Sequence, residues 1–296
     1  MARLEKPSLV VSHYNAFHAK SSYNLHYTKR DEAQMKQTIA SCLKQQALNH
    51  PDSPAILAPG RSPLPYRRLW CQVEHVVNRL NTMAIGRDDR VAIVLPNGPE
   101  LAATFVAVAA GATAAPLNPT FRQNEFEFYL SDLKAKAVIA PLGGDATVRA
   151  AAQVRGIPII ELSFDLQAEA GTFTLSGEQQ SGPICTGFAQ EDDVALVLHT
   201  SGTTSRPKIV PLTQRNLCSS TVNHRVALAL TDQDRCLNMM PLFHIHGLIS
   251  VVLTSLLTGG SVVCTPGFDA SKFFDWLEEF KPTWFTAAPA LYQGLL

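Results

Sequence analysis

His199-Thr200-Ser201-Gly202-Thr203-Thr204-Ser205-Arg206-Pro207-Lys208 follows directly on the apolar run Val194-Ala195-Leu196-Val197-Leu198. The run is short, uncharged and rich in branched side chains, so it reads as a buried strand. The residues after it are small, hydroxyl-bearing and basic, so they read as a loop at that strand's carboxyl end. Small residues let backbone N–H groups approach anionic oxygens, hydroxyls add donors, and Lys208 adds a point charge, which together make a polyphosphate cradle. A solvated Ser/Thr-rich turn has the same composition. Position favours the cradle, because loops at the carboxyl ends of strands in open parallel sheets are where ligands bind. A Walker A loop fails on spacing: no second glycine stands between Gly202 and Lys208, and Ile209 follows the lysine. No G-x-G-x-x-G follows a strand, so a dinucleotide fingerprint is absent as well.

Outward from this stretch, strand and helix alternate. Upstream, strands are expected over 91–95, 113–117, 135–140 and 158–162. Between them lie helices opened by Pro99, by an Asn124 cap and by Asp145, the first closed by Gly111. Apolar residues at spacings of three and four predict further helices over 31–49 and 66–81. Downstream, helices are expected over 214–229 and 247–257, and a third capped by Asp269 or Ser271 and stopped by Lys281-Pro282. Strands are expected there over 194–198, 235–240, 261–265 and 283–287. Apolar strands separated by such helices pair in parallel through right-handed crossovers. The expected fold class is therefore α/β, with doubly wound, mostly parallel sheets and helices on both faces. Residues 163–190 lose the periodicity and gather Gly, Ser, Gln and Pro. A boundary is expected there, between a first α/β subdomain over 31–190 and a second over 191–296 that carries the loop. Residues 1–30 form an expected N-terminal arm whose His13, His18 and His26 share no helical face.

The 296 residues are 46% hydrophobic and 17% charged, the composition of a folded chain. Twenty-five Lys plus Arg balance 25 Asp plus Glu, leaving no basic excess for a nucleic-acid backbone or an anionic membrane. The uncharged stretches 101–121 and 236–268 are rich in Ala or broken by Gly and Pro, and read as buried core with no membrane span. The six cysteines form no CxxC pair, so neither a zinc site nor a disulfide framework is indicated. Together with an N-terminus lacking the apolar core of a signal peptide, this predicts a reducing, cytoplasmic setting.

Thr200-Ser201-Gly202-Thr203-Thr204 through Pro207-Lys208 resembles the phosphate-loop signature of the adenylate-forming superfamily, which holds acyl-CoA synthetases, peptide-synthetase adenylation domains and luciferases. Met240-Pro241-Leu242-Phe243-His244-Ile245-His246-Gly247 resembles the motif that follows it, and 280–289, opening Phe280-Lys281-Pro282-Thr283, resembles the strand leading to the acyl pocket. Together with Val210-Pro211-Leu212-Thr213-Gln214, the wording is most similar to oxalate-CoA ligases, the peroxisomal-type CoA synthetases. The resemblance implies an ATP-dependent acid-CoA ligase acting on a small carboxylate such as oxalate, with Mg2+ and CoA. It implies that Thr200, Ser201, Gly202, Thr203, Thr204 and Lys208 hold the phosphates of ATP, with Thr204 as the contact to the metal. It further implies His244 as the catalytic candidate beside the adenylate, and His246, Ala287, Ala288 and Pro289 as acid-site residues.

Two departures stand out: Ile209 where the family carries Gly, and Ser205-Arg206 in place of the commoner Gly-containing turn. The family's acidic magnesium motif, ribose-binding aspartate, hinge and C-terminal domain with its catalytic lysine would all fall beyond Leu296, as would any peroxisomal address. The missing C-terminal domain is expected to be required for the full reaction. Two other readings stay open at this point: a catalytically inactive AMP-binding fragment or interaction module, and an adenylation domain that loads a carrier protein.

Overall fold

Pro99–Ala109, helix α4, is apolar almost all round, and every residue of it except Glu100 is buried. A helix of that composition needs cover on all sides, and α4 obtains it by lying between two sheets. The computed structural model describes residues 27–182, 184–200 and 207–294. In spatial order, the first sheet comprises Thr174–Ser176 (β7), Ile159–Ser163 (β6), Ala137–Pro141 (β5), Arg90–Ile93 (β3), Thr113–Pro116 (β4), Val194–Thr200 (β8) and Lys208–Thr213 (β9). All its pairings are parallel except those of the edge strands β7 and β9. The second comprises Trp284–Thr286 (β12), Arg235–Asn238 (β10), Ser261–Cys264 (β11), Pro54–Leu57 (β1) and Leu64–Pro65 (β2), parallel except for β2.

Side chains alternate across each strand and so connect the layers. In β3, Val91 and Ile93 join the core between the sheets, while Ala92 packs with Gln123–Leu133 (α5) and Ala146–Val154 (α6) on the outer face. In the second sheet, Ile56, Cys236 and Val262 join the central core. Leu57, Leu237 and Val263 pack instead against Phe273, Trp276 and Phe280 of Ala270–Phe280 (α9). Between the sheets lie Ile39–Asn49 (α2), Tyr66–Thr82 (α3), α4, Gln214–Ala227 (α7), a π-helix over His246–Leu253 and Thr254–Thr258 (α8). One continuous apolar core thus holds both sheets.

The α/β doubly wound expectation is met, with differences in detail. β8, expected to open the second layer, instead joins the first sheet between β4 and β9, with Ala114 opposite Leu196. β1 and β2 belong to the second sheet, β1 in register with β11. Sheet membership therefore does not follow the chain across the boundary expected near 190. The helix expected over 31–49 is two, Lys29–Met35 (α1) and α2, because Thr28 and Thr38 each cap a separate start. α5 starts at Gln123, ahead of the expected Asn124 cap, with the Arg122 N–H donating to Glu125 at 2.8 Å. Asp145 and Asp269 cap α6 and α9 as expected, and the stretch expected as a helix over 247–257 begins as the π-helix.

Candidate functional site

β8 ends at Thr200 and β9 begins at Lys208, and these two residues stand opposite each other in the antiparallel hairpin. Both are exposed. Ser201, Gly202, Thr203 and Thr204 lie outside the described residues. The remaining expected positions also follow carboxyl ends of parallel strands: His244 and His246 come after β10, and Ala287, Ala288 and Pro289 after β12. Ala287 is buried at its strand end, whereas Ala288 is half-buried and Pro289, the first residue of Pro289–Gln293 (α10), is exposed.

Asn97, which the sequence marks only as part of a Pro-Asn-Gly turn, joins these strand ends. It follows β3 of the first sheet; its Nδ2 donates to the Thr265 carbonyl at 3.0 Å, and its Oδ1 accepts from the Leu242 N–H at 2.9 Å. Thr265 follows β11 and Leu242 follows β10, so one amide ties the carboxyl ends of both sheets together. Asn238, fully buried, accepts from the Met240 N–H at 3.0 Å, and the Thr265 hydroxyl donates to the Asn238 carbonyl at 2.9 Å. These bonds set the path into the histidine segment. The segment then turns: the His244 N–H donates to the Pro241 carbonyl at 3.3 Å, and a Cβ on Gly247 would stand 2.6 Å from that same oxygen. Only glycine fits there. His244 is exposed, its ring beside Phe243, while the half-buried His246 places Nε2 3.0 Å from the Thr286 hydroxyl of β12.

Residues 43–296 match the AMP-binding enzyme family. The chain belongs to that family. It is 38% identical over 266 residues to the probable CoA ligase CCL9 of Humulus lupulus, covering 88% of this chain and 50% of that protein. It is 37% identical over 267 residues to an oxalate-CoA ligase of Arabidopsis thaliana, covering 88% and 51%. Among solved structures, apo MatB from Rhodopseudomonas palustris shares the fold with a TM-score of 0.72 at 24% identity, over 87% of this chain and 50% of MatB. The chain spans about half the length of the curated relatives it matches.

In this chain, partial desolvation holds both His244 and His246 below the ordinary imidazole range, and the nearby His224 adds to the effect on His246. An imidazole held low in the folded state takes up its proton more readily when unfolded. Its contribution to stability is therefore present above the unfolded value, near pH 6.5, and lost as pH falls through the lowered folded value. Denaturant unfolding between pH 7.5 and 5 is expected to lose stability below about pH 6.5. His246→Gln, which still reaches Thr286, should flatten that slope, with His244 keeping the remainder. A slope unchanged in the variant would assign the proton uptake to other groups.

Two grooves, of about 500 and 770 Å³, lie away from this region, and none of the expected site residues among the described ones lines either. Among the described residues, no group of three or more His, Cys, Asp or Glu is placed to hold a metal, and no helix is long and apolar enough to cross a membrane.

Proposed function

We propose that this chain is the nucleotide- and acid-binding part of an ATP-dependent acid-CoA ligase. The observation that carries it is the hairpin that sets Thr200 opposite Lys208 at the carboxyl end of β8, on the end of the first sheet that Asn97 ties to the histidine segment. Support comes from the relatives, named CoA ligases at 37–38% identity. In the first half-reaction a carboxylate oxygen attacks the α-phosphorus of ATP in line, and pyrophosphate leaves from an acyl-adenylate. In the second, the CoA thiolate attacks the acyl carbon and AMP leaves. Catalysis of the first half is positioning and charge neutralisation, because little covalent chemistry falls to the protein.

The Lys208 ammonium and the Thr200 hydroxyl, with Ser201, Gly202, Thr203 and Thr204, hold the β- and γ-phosphates in this proposal. Mg2+ would supply charge neutralisation on those phosphates, with the Thr204 hydroxyl as its protein contact. His244, exposed and mostly neutral at pH 7, borders the acid and the adenylate. His246, anchored on Thr286, keeps that segment against β12. Ala288 and Pro289 edge the acid site, and Ala287 backs it from the core. Oxalate is the proposed acid, on the similarity to the Arabidopsis oxalate-CoA ligase, and a reducing, cytoplasmic compartment the proposed setting.

Acid-dependent AMP release by the full-length protein tests this with oxalate, malonate, acetate, a cinnamate and a medium-chain fatty acid. The expected result is release that prefers oxalate. A clear preference for the long chain would overturn the acid assigned, and no release with any acid would favour a non-catalytic nucleotide-binding role.

A further inference from the structure

His199, the residue immediately before the candidate phosphate-binding stretch, is held from outside its own sheet. Its Nε2 lies 3.0 Å from the Asp132 Oδ2 of α5, and because a carboxylate only accepts, that nitrogen carries the proton. The His199 side chain is only 7% exposed, against 40% for Asp132. Tyr129 stands three residues before Asp132 and so on the same face of α5. Its ring meets the imidazole edge-on, centroids 4.6 Å apart, and Phe121 stacks on Tyr129 at 4.7 Å. Across the hairpin His199 pairs with Ile209, which packs against the same apolar cluster as Phe121 and Tyr129. The side chain that stands where the family carries Gly therefore joins the apolar cluster whose Tyr129 meets His199.

The backbone alone holds this strand end on one side. The ladder from β4 registers at Ala114 and Leu196, and β4 ends at Pro116, which has no N–H to donate. By that register β4 ends opposite Leu198, so His199 and Thr200 stand past its last residue, and β9 on the other side is itself an edge strand. We propose that Asp132 is a positioning residue for the nucleotide site: by holding His199 it fixes the strand end that bears Thr200 and faces Lys208. The bond is half open to water, so it adds little to global stability. Its effect is local, on where two phosphate-binding groups stand. The inference rests on the nucleotide-binding role proposed for Thr200 and Lys208.

Asp132→Ala and Asp132→Asn in the full chain, with ATP affinity by titration calorimetry and amide exchange over 208–213, test it. Asp132→Ala is expected to weaken ATP about tenfold, the loss of one charge-assisted hydrogen bond, and to speed exchange in β9 with the melting temperature nearly unchanged. Asp132→Asn, whose side-chain oxygen accepts the same proton, is expected to return the affinity to within about threefold. Wild-type ATP affinity in Asp132→Ala overturns the inference and leaves the nucleotide site standing. An Asn variant as weak as the Ala variant, or faster exchange throughout α5 and the sheet, also overturns it. Failure of the unaltered protein to bind ATP overturns the nucleotide site and this inference together, and is read directly from the same titration.

Discussion

Lys208→Ala is expected to lower acid-dependent ATP–pyrophosphate exchange in the full-length protein by on the order of 10²-fold, the usual loss when one charged or polar contact to a reacting centre is removed. Lys208 is exposed at the start of β9, opposite Thr200, and among the described residues it has no ion-pair partner. An exposed charge of this kind contributes little to the fold. The variant should accordingly melt with the parent in the absence of nucleotide and differ only when ATP is added. At ATP one hundredfold above its dissociation constant the parent gains about 2.7 kcal/mol. A variant binding one hundredfold more weakly gains only about 0.4 kcal/mol at the same concentration. Lys208→Arg keeps the charge but not the compact ammonium, and should recover part of the loss. Unchanged exchange in Lys208→Ala would remove Lys208 from the phosphate site.

Asn97→Ala is expected to destabilise the fold by roughly 2–4 kcal/mol, because it strands a donor and an acceptor in partly buried surroundings. The Leu242 N–H and the Thr265 carbonyl lose their partners together, and both lie in segments leading away from the strand ends of the second sheet. Acid-dependent turnover should fall further than ATP affinity, since the Leu242 segment leads to His244 whereas the hairpin at Thr200 belongs to the first sheet. Asn97→Asp distinguishes the two bonds. Its carboxylate still accepts from Leu242 but sets a negative oxygen against the Thr265 carbonyl, so it should not rescue at neutral pH. Protonation in acid restores a donor and should recover part of the stability. A melting temperature equal to the parent's in Asn97→Ala would show that the two sheets are joined at this end by other contacts.

Much of the fold is legible along the chain because its rules are local. Pro99 at a helix start, the Asp145 and Asp269 caps, the left-handed stop at Lys281 and the apolar strands between them are written in neighbouring residues. The candidate phosphate loop is legible for the same reason: small residues, hydroxyls and a lysine after a buried strand form one contiguous string. The strands β1, β2 and β7 escape notice because Pro and Gly crowd 51–65 and Gly, Ser and Gln fill the stretch around 174–176, so loop signals mask the short apolar runs.

The sequence by itself determined the α/β class, the order of most elements and the residues able to meet a polyphosphate. Only the tertiary structure decided that β8 joins the first sheet beside β4, that β1 lies beside β11, that Asn97 joins the two sheets, and that Asp132 holds His199 from 67 positions away. The physical reason is that periodicity reports that a face must be buried, while the partner that buries it is chosen by packing among elements far apart in the chain.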